Sequence, residues 1–233
     1  MKQIEGNIRR AIDKYKLIEN GDKVAIGLSG GKDSIALLCC LANIKKHSNI
    51  NFDLVAIVVD NGNPDNSFKK IEKFCKEQDV HLHIEHTNIY QVVFEIRKEK
   101  NPCSLCAKLR RGILCTTAKK LGANKLALGH HADDVIDTFF MSLIFEGRLS
   151  TFKPMAYMSR SDITVIRPLY LCFEADIAAA TSTLPILKNT CPANGDTQRT
   201  KMKSLISDLE KKYKADRKLI FEAIVSKDRY NLF

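Results

Sequence analysis

The chain has 233 residues, 45% of them hydrophobic and 27% charged, with a formal net charge of +10 and a pI near 9.2. That is enough apolar material for one large core, and no apolar run reaches bilayer-spanning length, so a soluble protein without a membrane partner is expected. Eight cysteines with no secretion signal argue against a disulfide scaffold and for a reducing, cytoplasmic setting, where thiols are buried, catalytic or metal-bound.

The first 20 residues read as a charged amphipathic helix with Ile4, Ile8, Ala11, Ile12 and Tyr15 on one face, neither a secretion signal nor an anchor. Val24 to Leu28 is a short apolar run that stops at Ser-Gly-Gly, and Ser34 to Ala42 follows as a buried helix. The same strand-then-helix grammar returns in Asp53 to Asp60 with Phe68 to Gln78, and in Lys125 to Gly129 with Ala132 to Ile144. Val80 to Glu85 is a further strand, Asn61 to Asn66 a turn, and Ser104 to Lys120 a helix. Gly147 to Asp162 is a long loop before the strand Ile163 to Leu169. From Asp196 the chain is basic and helix-prone, a pattern that fits a solvated helix face as well as a polyanion-binding one. The alternation predicts an α/β fold, doubly wound around a mostly parallel sheet, with helical appendages at both ends. The expected division is an N-terminal helix over 1–20, an α/β domain over 21–190, and a cysteine-bearing loop with basic helices over 191–233.

The segment Leu28-Ser29-Gly30-Gly31-Lys32-Asp33-Ser34 follows a buried strand and opens a helix. Paired glycines permit a tight turn and close backbone approach, while the amides of a helix start, Lys32 and two hydroxyls suit phosphate oxygens. It is not a Walker loop: Ile26 stands where that motif needs a glycine, and Asp33 where it needs Ser or Thr. A carboxylate facing phosphates calls for Mg²⁺ between them. Asp60 ends one strand, and Gly129-His130-His131 ends another. In an open α/β sheet, Ser29, Asp33, Asp60 and His130 are therefore expected to line one crevice. Asp133 and Asp134 open the next helix, where helix capping alone would explain them.

Cys103 and Cys106 lie three apart on one helix face. A structural zinc site needs four ligands, and no second C-x-x-C exists in the chain, although zinc completed by Cys191 and a histidine stays open. A thioredoxin-like pair is disfavoured, since no predicted strand leads directly into it. Cys39, Cys40, Cys75, Cys115 and Cys172 read as core, whereas Cys191 stands in a loop punctuated by Pro and Gly. Arg110 and Arg111, just beyond the pair, suit phosphate or RNA backbone, or else form an exposed helix face.

"SGGKDS" after a strand resembles the pyrophosphate loop of the PP-loop ATP pyrophosphatase superfamily, which cleaves ATP between its α and β phosphates and passes AMP to a substrate oxygen. Together with "PCSLCAKLRRGIL", "LGHHADDVIDTFF", "IRPLYLCFEADI" and "QRTKMKSLISDLEKKYKADRKLIFEAI", it resembles the tRNA 2-thiocytidine synthetase family over almost the whole chain. The resemblance implies ATP and Mg²⁺ at Leu28 to Ser34, Asp60, Gly129, His130, Asp133 and Asp134. It also implies a 4Fe-4S cluster on Cys103, Cys106 and Cys191 with one iron open to the transferable sulfur. Asp33 and Asp60 join the three cysteines as the expected catalytic set. The implied reaction is 2-thiolation of a cytidine, with tRNA and a sulfur donor, sulfide or a cysteine desulfurase, as partners and a homodimer as an open option. A tRNA lysidine synthetase, a small-molecule ligase, and a zinc-containing nucleic-acid-binding module are the rival readings.

Overall fold

The computed structural model describes residues 1–63, 67–97, 102–187 and 198–229. Six strands form one sheet: β1 (Lys23–Gly27), β2 (Asp53–Asp60), β3 (His81–His86), β4 (Lys125–Ala127), β5 (Met155–Met158) and β6 (Ile163–Ile166), in the order β3-β2-β1-β4-β6-β5. All pairings are parallel except β5 with β6, so the expected doubly wound α/β class holds with one antiparallel edge.

Side-chain alternation sorts the core into two layers. Val24, Ile26, Leu54, Ala56 and Val58 face a cluster built with α1 (Lys2–Tyr15) and α2 (Lys32–His47), which also takes in Ile177 of α6 (Glu174–Thr181). Ala25, Val55, Ile57, Leu126 and Val165 face the opposite way, onto Cys115 and Ala118 of α4 (Pro102–Lys120). Helix α1 buries Ile4, Ile8, Ala11 and Ile12, the face read from the sequence, in the first cluster.

A third cluster joins α5 (Ala132–Glu146) to α7 (Gln198–Tyr213) and α8 (Arg217–Val225) through Val135, Ile136, Met202, Ile206, Phe221 and Ile224. The basic C-terminal helices therefore pack against the helix that follows β4. Helix α3 (Lys69–Glu77) lies along the β3 end of the sheet and contributes Ile71 and Phe74 to the first layer.

Two expectations change, and one element is added. The loop expected over 147–162 contains β5, a four-residue edge strand too short to give a periodic signal. The strand expected to run to Leu169 ends at Ile166, because Pro168 opens a 3₁₀ turn. Between β3 and α4, Gln91–Ile96 form a π-helical turn that inserts Val93 under β2.

Candidate active site

Two loops meet where the strand order reverses, between β1 and β4. One leaves β1 through Leu28, Ser29, Gly30 and Gly31 into α2, and the other leaves β4 through Leu128, Gly129, His130 and His131 into α5. The crevice between them has a volume of about 330 Å³. Leu28, Ser29, Asp33, Ser34, Gly129, His130, Asp134 and Arg199 line it, together with Ala107, Arg110, Arg111 and Leu114 of α4.

Glycine is required at two points. Gly30 has φ +80°, and a Cβ there would lie 2.8 Å from Leu187 Cδ1. A Cβ on Gly129 would come within 3.2 Å of the Asp33 carbonyl carbon and the Ser34 nitrogen, so the second loop rests directly on the start of α2. The two serines brace the turn. Ser29 Oγ lies 3.1 Å from Ser34 Oγ, and Ser34 Oγ donates to the Gly31 carbonyl at 2.9 Å. The result is a helix start held open beside a glycine turn, the arrangement that binds phosphate.

The charges around this turn are unequal in their partners. Asp33 Oδ1 is buried and makes no hydrogen bond, with Lys32 Nζ at 3.1 Å and His131 Nε2 at 3.8 Å. A buried carboxylate oxygen of this kind, in a phosphate cradle, fits a divalent cation such as Mg²⁺. Lys32 does not line the crevice. Its ammonium reaches Glu174 at 2.9 Å, and although burial opposes its charge, the hydrogen bond to Glu174 and the charge of Asp33 raise its pKa.

His130 lines the crevice with Nδ1 buried and without a hydrogen bond. Its ring lies tilted at 46° to Phe152, 5.2 Å between centroids, and Phe152 carries the Arg167 guanidinium at 4.8 Å from its ring centre. Burial, with the charges of Arg167, Arg199 and Arg111, pushes the imidazole down to about 4 against the opposing pull of Asp134, so it is neutral at physiological pH. His131 behaves oppositely: burial lowers its pKa, but the surrounding Asp133, Asp134 and Asp33 raise it overall.

The paired aspartates divide their work. Asp134 lines the crevice, accepts from the His131 N–H at 3.1 Å through Oδ2, and pairs with Arg199 at 3.2 Å through Oδ1. Asp133 is not among the lining residues. It accepts from the Glu174 N–H at 2.6 Å and from Arg217 at 2.5 Å, which ties α5 to α6 and α8. Burial opposes its ionisation, but the hydrogen bonds from His131, Glu174 and Arg217 hold its carboxyl well below the usual range.

Asp60, expected in the crevice, is likewise absent from its lining. Its carboxylate caps the turn at the Gly62 N–H and lies 3.0 Å from His86 Nδ1.

The cysteine pair does not itself line the crevice; it lies on α4 just before the residues that do. Cys103, Ala107 and Arg111 are spaced four apart, as are Cys106, Arg110 and Leu114, so the pair continues the lining face by one turn toward the helix start. Cys103 is exposed, and half-buried Cys106 packs with Leu105 and Leu109 against Val59, itself a lining residue. Among the described residues, no three His, Cys, Asp or Glu side chains form a metal-binding group, so a metal on this pair draws its remaining ligands from elsewhere. Cys191 lies outside the described residues. The residues that flank its segment are fixed at the site: Leu187 donates its N–H to the Gly30 carbonyl at 2.9 Å, and Arg199 pairs with Asp134.

Sequence reading missed Arg199 and Glu174. Arg199 was one charge in a basic run, and Glu174 opens a helix the periodicity did not reveal, although both stand inside recognisable motifs.

A family model described as a PP-loop domain matches residues 2–198. The chain is 37% identical over 228 residues to a tRNA-cytidine(32) 2-sulfurtransferase of Geobacter sulfurreducens, covering 96% of this chain and 89% of that protein. It is 40% identical over 218 residues to the protein of the same name from Pseudomonas entomophila, covering 92% and 80%. Among solved structures, it is similar to the U34-tRNA thiolase NcsA from Methanococcus maripaludis with its [4Fe-4S] cluster. That similarity has a TM-score of 0.79 at 27% identity and covers 96% of this chain and 76% of that one.

Proposed function

Because the chain belongs to the PP-loop family and, within it, to the tRNA-cytidine(32) 2-sulfurtransferases, we propose that it is an ATP-dependent tRNA sulfurtransferase that replaces the C2 carbonyl oxygen of a cytidine with sulfur. The observation that carries this reading is the crevice that the phosphate-binding turn shares with α4, whose lining begins one residue beyond Cys106.

The turn at Ser29 to Ser34 holds the β and γ phosphates, and Asp33 holds Mg²⁺, which when bound neutralises charge on the phosphate chain. The cytidine oxygen attacks the α-phosphorus. An O–P bond forms, the bond from the α-phosphorus to the bridging oxygen breaks, and pyrophosphate leaves with the electron pair. The adenylated base carries the positive charge until sulfide adds at C2 and AMP departs. A poor leaving group, oxide, has thus been exchanged for a good one. Burial and the surrounding arginines keep His130 neutral, so it meets the nucleotide as an uncharged hydrogen-bonding group.

Cys103, Cys106 and Cys191 would hold the 4Fe-4S cluster, which when bound would supply a site for the transferable sulfur. The position of Cys103 and Cys106 just before the lining residues of α4 supports this assignment, as does the fixing of Leu187 on Gly30, four residues before Cys191. Arg110 and Arg111 lie among those lining residues and suit the RNA backbone beside a base turned into the crevice. Sulfide or a cysteine desulfurase supplies the sulfur. No helix of the described residues is long and apolar enough to cross a membrane, and we place the reaction in the cytoplasm.

The test is nucleoside analysis of tRNA after incubation with anaerobically purified protein, ATP, Mg²⁺ and sulfide, with 2-thiocytidine as the expected product. Its absence despite a loaded cluster would overturn the tRNA assignment. Elemental analysis is expected to find iron and acid-labile sulfide, whereas zinc would favour a structural site. Cys191→Ala is expected to abolish the visible absorbance while Cys115→Ala, a core change, leaves it.

A further inference from the structure

Negative charge builds on the α-phosphate as pyrophosphate leaves, and the lysine of the glycine turn is engaged by carboxylates. Lys32 is held by Asp33 and Glu174 and does not line the crevice. Arg199 does line it. It is reached from the glycine turn through an unbroken series of charged groups: Asp33 Oδ1 lies 3.8 Å from His131 Nε2, which lies 3.5 Å from Asp134 Oδ2, while Asp134 Oδ1 lies 3.2 Å from Arg199 Nη1.

The way Arg199 is held leaves it donors to offer. Asp134 spends Oδ2 on the His131 N–H, so its grip on the guanidinium is through one oxygen only. The second contact, from Nη2 to Thr138 Oγ1, is 3.3 Å and neutral. By comparison, Arg217 is grasped by Glu210 through both Nε and Nη2 and by Asp133 through Nη1. The Arg199 side chain is 43% exposed, against 25% for Arg217. A guanidinium has five N–H donors in a planar fork that matches phosphoryl oxygens, and its contacts among the described residues use two of them.

We propose that Arg199 is a catalytic residue of the nucleotide step, whose guanidinium binds the α-phosphate oxygens of ATP and offsets the negative charge that builds there as pyrophosphate leaves. The inference rests on the sulfurtransferase reading and assigns a task within it. No proton moves: the base oxygen supplies the electron pair of the new O–P bond, pyrophosphate takes the pair of the broken one, and Arg199 stays cationic throughout. Asp134 is then a positioning residue that aims the guanidinium. Removing one such preorganised donor typically slows a step by about 10²–10³.

The experiment measures tRNA-dependent pyrophosphate release in a single turnover at saturating ATP and tRNA, with ATP affinity measured separately by equilibrium binding. Arg199→Ala is expected to slow release about 100-fold while weakening ATP binding less than about fivefold, and Arg199→Lys to recover about tenfold of the rate. Lys203→Met serves as the control for the packing of α7, because it cuts the 2.8 Å tie from that helix to Glu174 without removing a crevice-lining charge. Its release is expected within threefold of wild type. Release by Arg199→Ala within threefold of wild type, or an equal loss in Lys203→Met, overturns the assignment. So does a defect confined to tRNA affinity, which would place Arg199 on the RNA backbone. A wild-type protein that binds ATP but releases no pyrophosphate with tRNA overturns the sulfurtransferase reading itself, a result distinct from either of these.

Discussion

Asp137 is 1% exposed and neither of its carboxylate oxygens makes a hydrogen bond, so burial pushes it up to about 6. A carboxyl raised in the folded state stabilises the fold below the unfolded value near 4, and that contribution is lost as pH rises through about 6. Asp137→Asn is therefore expected to raise Tm at pH 7.5 by about 2–4 °C, a gain on the order of 1 kcal/mol for a chain of this size, with the difference closing toward pH 4. Thermal melts across that range check it. Glu174 has the opposite sign. Burial opposes its charge, but hydrogen bonds from Lys203 and Lys32 bring it down to about 2, so its contribution is complete above the usual value near 4.5 and lost as pH falls toward 2. Glu174→Gln is expected to flatten the acid side of the Tm profile between pH 4.5 and 3. An unchanged slope would show that the two ion pairs contribute nothing to stability.

The helices and strands show which features sequence periodicity can reach. β1, β2, α2 and α5 are legible because each is a largely apolar, buried run set off by turn or capping residues, as Gly31 sets off α2 at Lys32. The glycine turn, Asp134 and the C-x-x-C were found for the same reason: their chemistry is local in sequence. What stayed hidden is non-local. That Asp60 meets His86, that Asp133 serves Arg217 84 residues away, and that Arg199 enters the crevice all depend on how elements pack. The glycine turn also yields a test at this scale. Gly30→Ala places a methyl against Leu187 at a φ of +80°, and the strain is expected to cost about 1–3 kcal/mol in stability and to weaken ATP binding by at least tenfold. Chemical denaturation and equilibrium binding measure the two effects, and Gly112→Ala, which meets nothing within 4 Å on α4, is the paired control for denaturation.

Across the whole molecule, the sheet keeps its two faces for packing and gives its carboxyl ends to chemistry, with α4 delivering cysteines from one layer and α5 carrying α7. A net charge of +10 adds a field that draws in RNA, so tRNA affinity is expected to fall about tenfold or more between 50 and 200 mM salt, as filter binding will show, while ATP affinity changes less. The buried thiols carry a different consequence. Burial pushes Cys39 and Cys75 up to about 11 and Cys172 to about 12, and raises Cys40 and Cys115 as well. At neutral pH these five groups offer almost no thiolate, which is the form that attacks electrophiles and persulfides. The protein can therefore meet reactive sulfur at its surface with little competition from these five thiols, and an alkylating reagent applied to the folded chain is expected to report on exposed Cys103 and half-buried Cys106 before them.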